Sequence, residues 1–269
     1  MAHIYLEFNC VYLLQSIPDT ETQTSNDLIN TIRYSLYKLN GITQELIDIA
    51  SRNEFLNAFQ HIFARLADEG VFPYIHFDMH GSKKGLQLKN GEIIIWEELS
   101  PLLVKINVRT RNRLFISLSS CFGYYLFNAT NPMERVPFYA YIGPPSTVLV
   151  GAVEKDWTNY FTILFETKDF LEALKALNAD KNSFEYAFLS GEKVWKIMVK
   201  GFLSLTHNRK QKREKLYDLV NRAKEKGTNK TEAELLAFFK KNIDYRPLFV
   251  RKLKAYSLMK TDTFPNVLD

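Results

Sequence analysis

The chain has 269 residues, 46% hydrophobic and 24% charged, with only 11 Gly and 9 Pro; this is the make-up of a large α/β domain or a core with a smaller appendage, and it excludes a disordered or low-complexity protein. The net charge of +5 is local: Arg209, Lys210, Lys212, Arg213, Lys215, Arg222, Lys224, Lys226 and Lys230 face only Glu214, Asp218 and Glu225, leaving the rest of the chain near neutral. Two cysteines, Cys10 and Cys121, exclude a disulfide framework, and no run reaches the ~18 apolar residues a membrane helix needs.

The opening MAHIYLEFNCVYLLQ has no basic flank or small-residue cleavage site, so a cytoplasmic protein without a membrane partner is expected, with both thiols reduced. Ala2 to Leu6 reads as a first strand with Cys10 just past it, and the polar stretch SIPDTETQTSN as a loop ending in a helix N-cap at Ser25 or Asn26. Leu28, Ile29, Ile32, Leu36 and Leu39 then recur at helical spacing up to Asn40-Gly41. A second helix opens on the capping box Ser51/Glu54, buries Phe55, Phe59, Ile62, Phe63 and Leu66, and stops at Gly70.

Val71 to Met79, mostly apolar and bounded by glycine, predicts a strand covered on both faces. Leu86–Leu88 and Glu92–Ile95 flank an Asn90-Gly91 hairpin turn. A helix over Trp96–Asn107, a buried strand over Leu114–Leu118 and a strand over Pro137–Ile142 come next, then Pro144-Pro145 and a second apolar run, Val148–Val153. Tyr160–Phe165 and Thr167–Leu177 read as helical, Phe184–Leu189 as a late strand, and everything from Glu192 on as helix after helix, including Val194–Leu205, the basic segment 207–226 and a helix capped at Thr231/Glu234. Strands alternating with helices predict a mostly parallel sheet flanked by helices over residues 1–190, with a helical extension over 191–269 packed on that core.

Ligands of a parallel sheet bind at the carboxyl ends of its strands. Two strand ends here carry chemistry: Phe77-Asp78-Met79-His80-Gly81 and Leu118-Ser119-Ser120-Cys121-Phe122-Gly123. A thiol at a strand-to-helix junction near Phe122, with an imidazole on the neighbouring strand, is set up as a nucleophile with its proton carrier. Gly81 lets backbone N–H groups approach a developing oxyanion. His76 shares the His80 face of its strand and reads either as a neighbour of the site or, in preference, as a satisfied core histidine. Neither metal-ligand spacing nor a phosphate-binding glycine loop is present, so no metal and no cofactor are expected.

His80-Gly81, the hairpin around Asn90-Gly91, Glu98-Leu99 in the next helix and Leu118-Ser119-Ser120-Cys121-Phe122-Gly123 together resemble the caspase/separase clan of cysteine peptidases, and within it the CHAT-type branch. The likeness continues through Phe138–Gly143, Phe161–Phe165 and Ala173-Leu174, over residues 71–178. It implies a caspase-like fold, a Cys121/His80 dyad, and the backbone amides of Gly81 and Cys121 as oxyanion donors. Cleavage of a protein substrate is the implied activity, in a switched protease of prokaryotic antiviral defence or signalling that answers to a separate sensor or activating protein.

Family members that cut after basic residues often carry an acid two positions before the cysteine; Ser119 stands there, so Asp78, Glu154 and Asp156 are the candidate pocket acids. Phe122 is bulkier than the small or polar residue common after the nucleophile. The alternative to an enzyme is a catalytically silent module that binds a partner protein or nucleic acid through 207–226; three acids and interleaved Leu216, Tyr217, Leu219 and Val220 make that segment equally a solvated helix face.

Overall fold

The computed structural model describes residues 7–36, 41–131, 133–180, 185–203, 209–242 and 247–262. They fall into two compact units, Met1–Ala129 with Pro137–Ser190, and Thr130–Val136 with Gly191–Asp269.

The first unit is a mixed α/β body with a mostly parallel sheet. Its strands are β1 (Cys10–Ser16), β2 (Thr43–Asp48), β3 (Pro73–Ser82), β4 (Gly85–Gln87), β5 (Ile93–Ile95), β6 (Phe115–Leu118), β7 (Ala140–Gly143) and β8 (Ala187–Ser190). The spatial order is β2-β1-β3-β6-β7-β8; only β8 runs antiparallel on this path, and β4 and β5 form the hairpin hung from the end of β3. The connections run from β1 outward to β2 and then back past β1 to β3, so the order reverses between β1 and β3, where a crevice opens at the strand ends.

The predicted first strand, 2–6, lies outside the described residues; the first described strand is Cys10–Ser16, every residue of it buried. Cys10 is therefore a sheet-core thiol, not a residue beyond the strand, and its burial pushes its pKa up. β2 has no counterpart among the predicted elements, because TQELID is a half-exposed edge strand with no apolar run to reveal it.

Helices cover both faces. On one side α1 (Thr24–Leu36), α4 (Val150–Thr167) and α5 (Phe170–Leu177) bury Leu28, Ile32, Trp157, Phe161 and Phe170 against Val11, Leu13, Tyr74, Phe115 and Ile142. On the other, Phe55 and Phe59 of α2 (Arg52–Asp68) stack on Phe77 at 6.5 and 6.4 Å between ring centroids, and α3 (Trp96–Arg109) follows the hairpin. Ser51 caps α2 by accepting from the Glu54 amide, and the Glu54 carboxylate accepts from the Ala50 amide at 2.5 Å. The 148–153 run divides: Val150 onward starts α4, which continues to Thr167 and ends on left-handed Lys168.

Among the described residues the second unit contains α6 (Gly191–Leu203), α7 (Arg209–Glu225), α8 (Glu232–Asn242) and α9 (Pro247–Ser257). Trp195, Leu216, Leu219, Val220, Leu235, Phe239 and Leu253 form its core together with Met133 and Val136 from the short segment Thr130–Val136. No described helix is long and apolar enough to cross a membrane.

Candidate active site

A cleft of about 100 Å³ opens at the carboxyl ends of β1, β3 and β6, and Ile17, Asp78, His80, Ser119 and Cys121 all line it. Strand alternation explains the set. His76, Asp78 and His80 are spaced by two on β3 and share a face, and each meets a different layer: His76 the core, Asp78 the start of α1, His80 the cleft mouth.

His76 is fully buried, 2.7 Å from Ser117 Oγ through Nδ1 and edge-on to Trp157 at 4.8 Å. Burial pushes its pKa down to about 4, against the opposing pull of Asp78, so it stays neutral in the core. Asp78 accepts from Thr24 Oγ1 at 2.6 Å, Ser25 Oγ at 2.5 Å and Ser119 Oγ at 2.8 Å. Ser25 thus serves Asp78 from within α1, which begins at Thr24, ahead of the predicted cap. At the place where an acid is absent two residues before Cys121, the Ser119 hydroxyl carries the Asp78 carboxylate to the cleft wall.

Cys121 leaves β6 at a tight turn. Phe122 adopts a left-handed φ of 58°, an uncommon conformation for an aromatic residue, and its ring lies 5.7 Å from Lys83 Nζ and edge-on to Tyr125. The chain then enters the helix expected near Phe122, which is a 3-10 helix, Gly123–Ala129. Gly123 is required there by close approach: a Cβ on it would stand 2.8 Å from Leu118 Cβ and 3.2 Å from Pro144 Cδ.

The backbone donors around the thiol are unequally committed. Phe122 N–H donates to Ser146 O at 3.0 Å and Gly123 N–H to Ser120 O at 3.1 Å. The Cys121 amide donates to no protein acceptor among the described residues. Val148 N–H points at the Cys121 sulfur, 3.4 Å away, from the loop after Pro144-Pro145. Gly81 is pressed directly on the Cys121 backbone, so that a Cβ there would collide with Cys121 O and lie 3.0 Å from Ser120 Cβ.

Of the residues singled out from sequence, His80, Cys121 and Asp78 are brought together on one cleft, with Gly81 beneath Cys121. Glu154 and Asp156 are on α4 and are not among its lining residues. Asp156 is buried instead near Tyr186, whose hydroxyl is pushed to a raised pKa by burial and, after that, by the Asp156 charge. Sequence inspection missed Glu21, Thr24, Val148, Val150 and Val153 as cleft residues. They carry no motif; only the packing of the β1–α1 and β7–α4 loops and of the first turns of α1 and α4 brings them in. Among the described residues no group of three or more His, Cys, Asp or Glu is arranged to hold a metal ion.

The basic segment 207–226 begins outside the described residues at His207 and Asn208. In α7, Arg222 pairs with Asp218 at 2.9 Å and approaches Glu134 at 3.6 Å, Lys224 pairs with Glu232 at 2.9 Å, and Arg213 lies over the Tyr217 ring. Leu216, Leu219, Val220 and Ala223 face the unit's core. These contacts belong to a helix with one face in the unit's core and an exposed outer face.

No family model matches the chain, and no curated protein does. Solved structures do match. One is the X-ray structure of a secreted C11 cysteine protease from Bacteroides thetaiotaomicron in complex with an irreversible peptide inhibitor, at 10% identity and a TM-score of 0.47, covering 74% of this chain and 70% of that one.

Proposed function

We propose that this chain is a caspase-like cysteine endopeptidase of the CHAT type, with Cys121 as nucleophile and His80 as acid and base. The observation that carries the proposal is the convergence of the two side chains on one cleft at the strand ends, with Gly81 packed against the Cys121 carbonyl. Two motifs about 40 residues apart in sequence have no local reason to meet there.

The chemistry rests on these residues. His80 takes the Cys121 proton, and the thiolate attacks the scissile carbonyl carbon, forming the C–S bond while the C=O π electrons move to oxygen. The amides of Gly81 and Cys121 hold that oxyanion, the second being uncommitted among the described residues. As the oxyanion reforms the carbonyl, the C–N bond breaks and His80 hands its proton to the departing amine. Water, giving a proton to His80, then adds to the thioester; collapse expels the thiolate, which recovers that proton.

The Val148 N–H stands 3.4 Å from the sulfur, on the cleft wall. Apolar walls from Ile17, Val148, Val150 and Val153, with the Asp78 carboxylate among them, form the substrate pocket. By the same resemblance the enzyme is a switched protease of prokaryotic defence or signalling, triggered by a separate sensor or activating protein.

A fluorogenic peptide library separates this from a silent fold. Turnover by the wild type should fall by at least about 10³-fold in Cys121→Ala and in His80→Ala. Equal turnover by wild type and Cys121→Ala would sink the proposal.

A further inference from the structure

Glu21 belongs to neither strand-end motif, yet its carboxylate meets His80 Nε2 with both oxygens, at 3.0 and 3.2 Å. Both side chains are about half exposed, and an exposed ion pair alone carries little weight. The loop beneath Glu21 changes that. Its amide donates to Pro18 O at 2.9 Å, closing a turn. The Gln23 side chain then straps the turn from inside, its Nε2 donating to Pro18 O at 2.9 Å, Glu21 O at 3.2 Å and Ile17 O at 3.4 Å. Gln23 Oε1 accepts from Gln15 Nε2 at 2.7 Å, and Gln15 is a buried residue at the end of β1. A path of hydrogen bonds thus runs from the sheet through Gln15, Gln23 and the Glu21 backbone to the carboxylate that meets the imidazole.

The chemistry of the contact is directional. A carboxylate accepts and does not donate, so it accepts a hydrogen bond from Nε2–H and leaves the lone pair of the neutral ring on Nδ1. The other carboxylates nearby are occupied: Asp78 by Thr24, Ser25 and Ser119, and Asp19, in the same loop, by Lys89 at 3.5 Å. We infer that Glu21 is a positioning residue for His80, holding it by Nε2 so that Nδ1 is the nitrogen that exchanges the proton with Cys121 and with the leaving amine. This inference rests on the Cys121/His80 reading. It gives the pair a third member, reached through the β1–α1 loop.

Alkylation of Cys121 by iodoacetamide at neutral pH, followed by mass spectrometry, reads the dyad without requiring any peptide to be cut, and Cys10 is fully buried and does not compete. Glu21→Ala should slow alkylation about fivefold, and Glu21→Gln, whose amide oxygen still accepts from Nε2–H, should restore it. On a cleaved peptide the same Glu21→Ala change should lower kcat about as much and leave KM within twofold. If His80→Ala slows alkylation while Glu21→Ala does not, or if Glu21→Gln fails to restore the rate, the role of Glu21 is overturned and the dyad stands. If His80→Ala leaves the rate unchanged, the dyad falls and Glu21 with it.

Discussion

Gly81→Ala puts the juxtaposition at the heart of the site under a quantitative test. An added Cβ would overlap Cys121 O, approach Ser120 Cβ to 3.0 Å and the Cys121 carbonyl carbon to 3.2 Å. The principal clash is with backbone, so no flexible side chain can swing away. Restoring an ordinary C···O contact of about 3.3 Å requires the Cys121 carbonyl or the end of β3 to retreat by about 1 Å. The second movement would break the pairing of His80 with Gln87 and of Gly81 with Leu86. Overpacking of this kind costs about 1–3 kcal/mol, and, in the proposed mechanism, displacing Cys121 by about 1 Å loses about 10²-fold in rate. The expected result is a fall of about 100-fold in kcat/KM, measured well below the urea midpoint so that the protein is folded, together with a lower midpoint at unchanged slope. Gly151→Ala, where a Cβ meets nothing within 4 Å, is the control and should keep both activity and midpoint. Wild-type turnover and midpoint in Gly81→Ala would refute the close approach of the two motifs.

Acid should weaken the fold through His76. Its pKa is about 4 in the core against about 6.5 in an unfolded chain, so it is neutral in both states above pH 6.5 and its full stability is present there. As pH falls from 6.5 towards 4 the unfolded state binds the extra proton and about 3 kcal/mol is lost. Urea unfolding at a series of pH values should show this slope and lose it in His76→Gln; equal slopes in the two proteins would contradict the account. Asp78→Ala removes the acceptor of three buried hydroxyls, Thr24, Ser25 and Ser119, and should destabilise by about 3 kcal/mol in the same assay, whereas a loss under about 1 kcal/mol would mean that the hydroxyls find other partners.

Much of the site is legible in the sequence because its markers are local. A glycine-bounded apolar run makes β3 a covered strand and places His80 at its carboxyl end; a second such end places Cys121. Ser51/Glu54 and Thr231/Glu234 announce helix starts, and both pairs form their caps. The misreadings lie where local signal is weak or ambiguous. Cys10–Ser16 escapes a reading by pattern since an apolar run next to a polar loop does not say where a strand begins, and the half-exposed β2 has no apolar run to mark it.

Residue type and spacing by themselves determined that this chain makes a mostly parallel sheet flanked by helices and that an imidazole and a thiol stand at strand ends. Hydrophobic periodicity, caps and glycine act within a few residues and need no partner to be read. Only the tertiary structure decided that Asp78 lines the cleft while Glu154 and Asp156 do not, that Val148 faces the sulfur, and that Glu21 meets His80. Those contacts depend on strand order and register between segments as many as 59 residues apart, which packing of the whole sheet selects and no local pattern encodes.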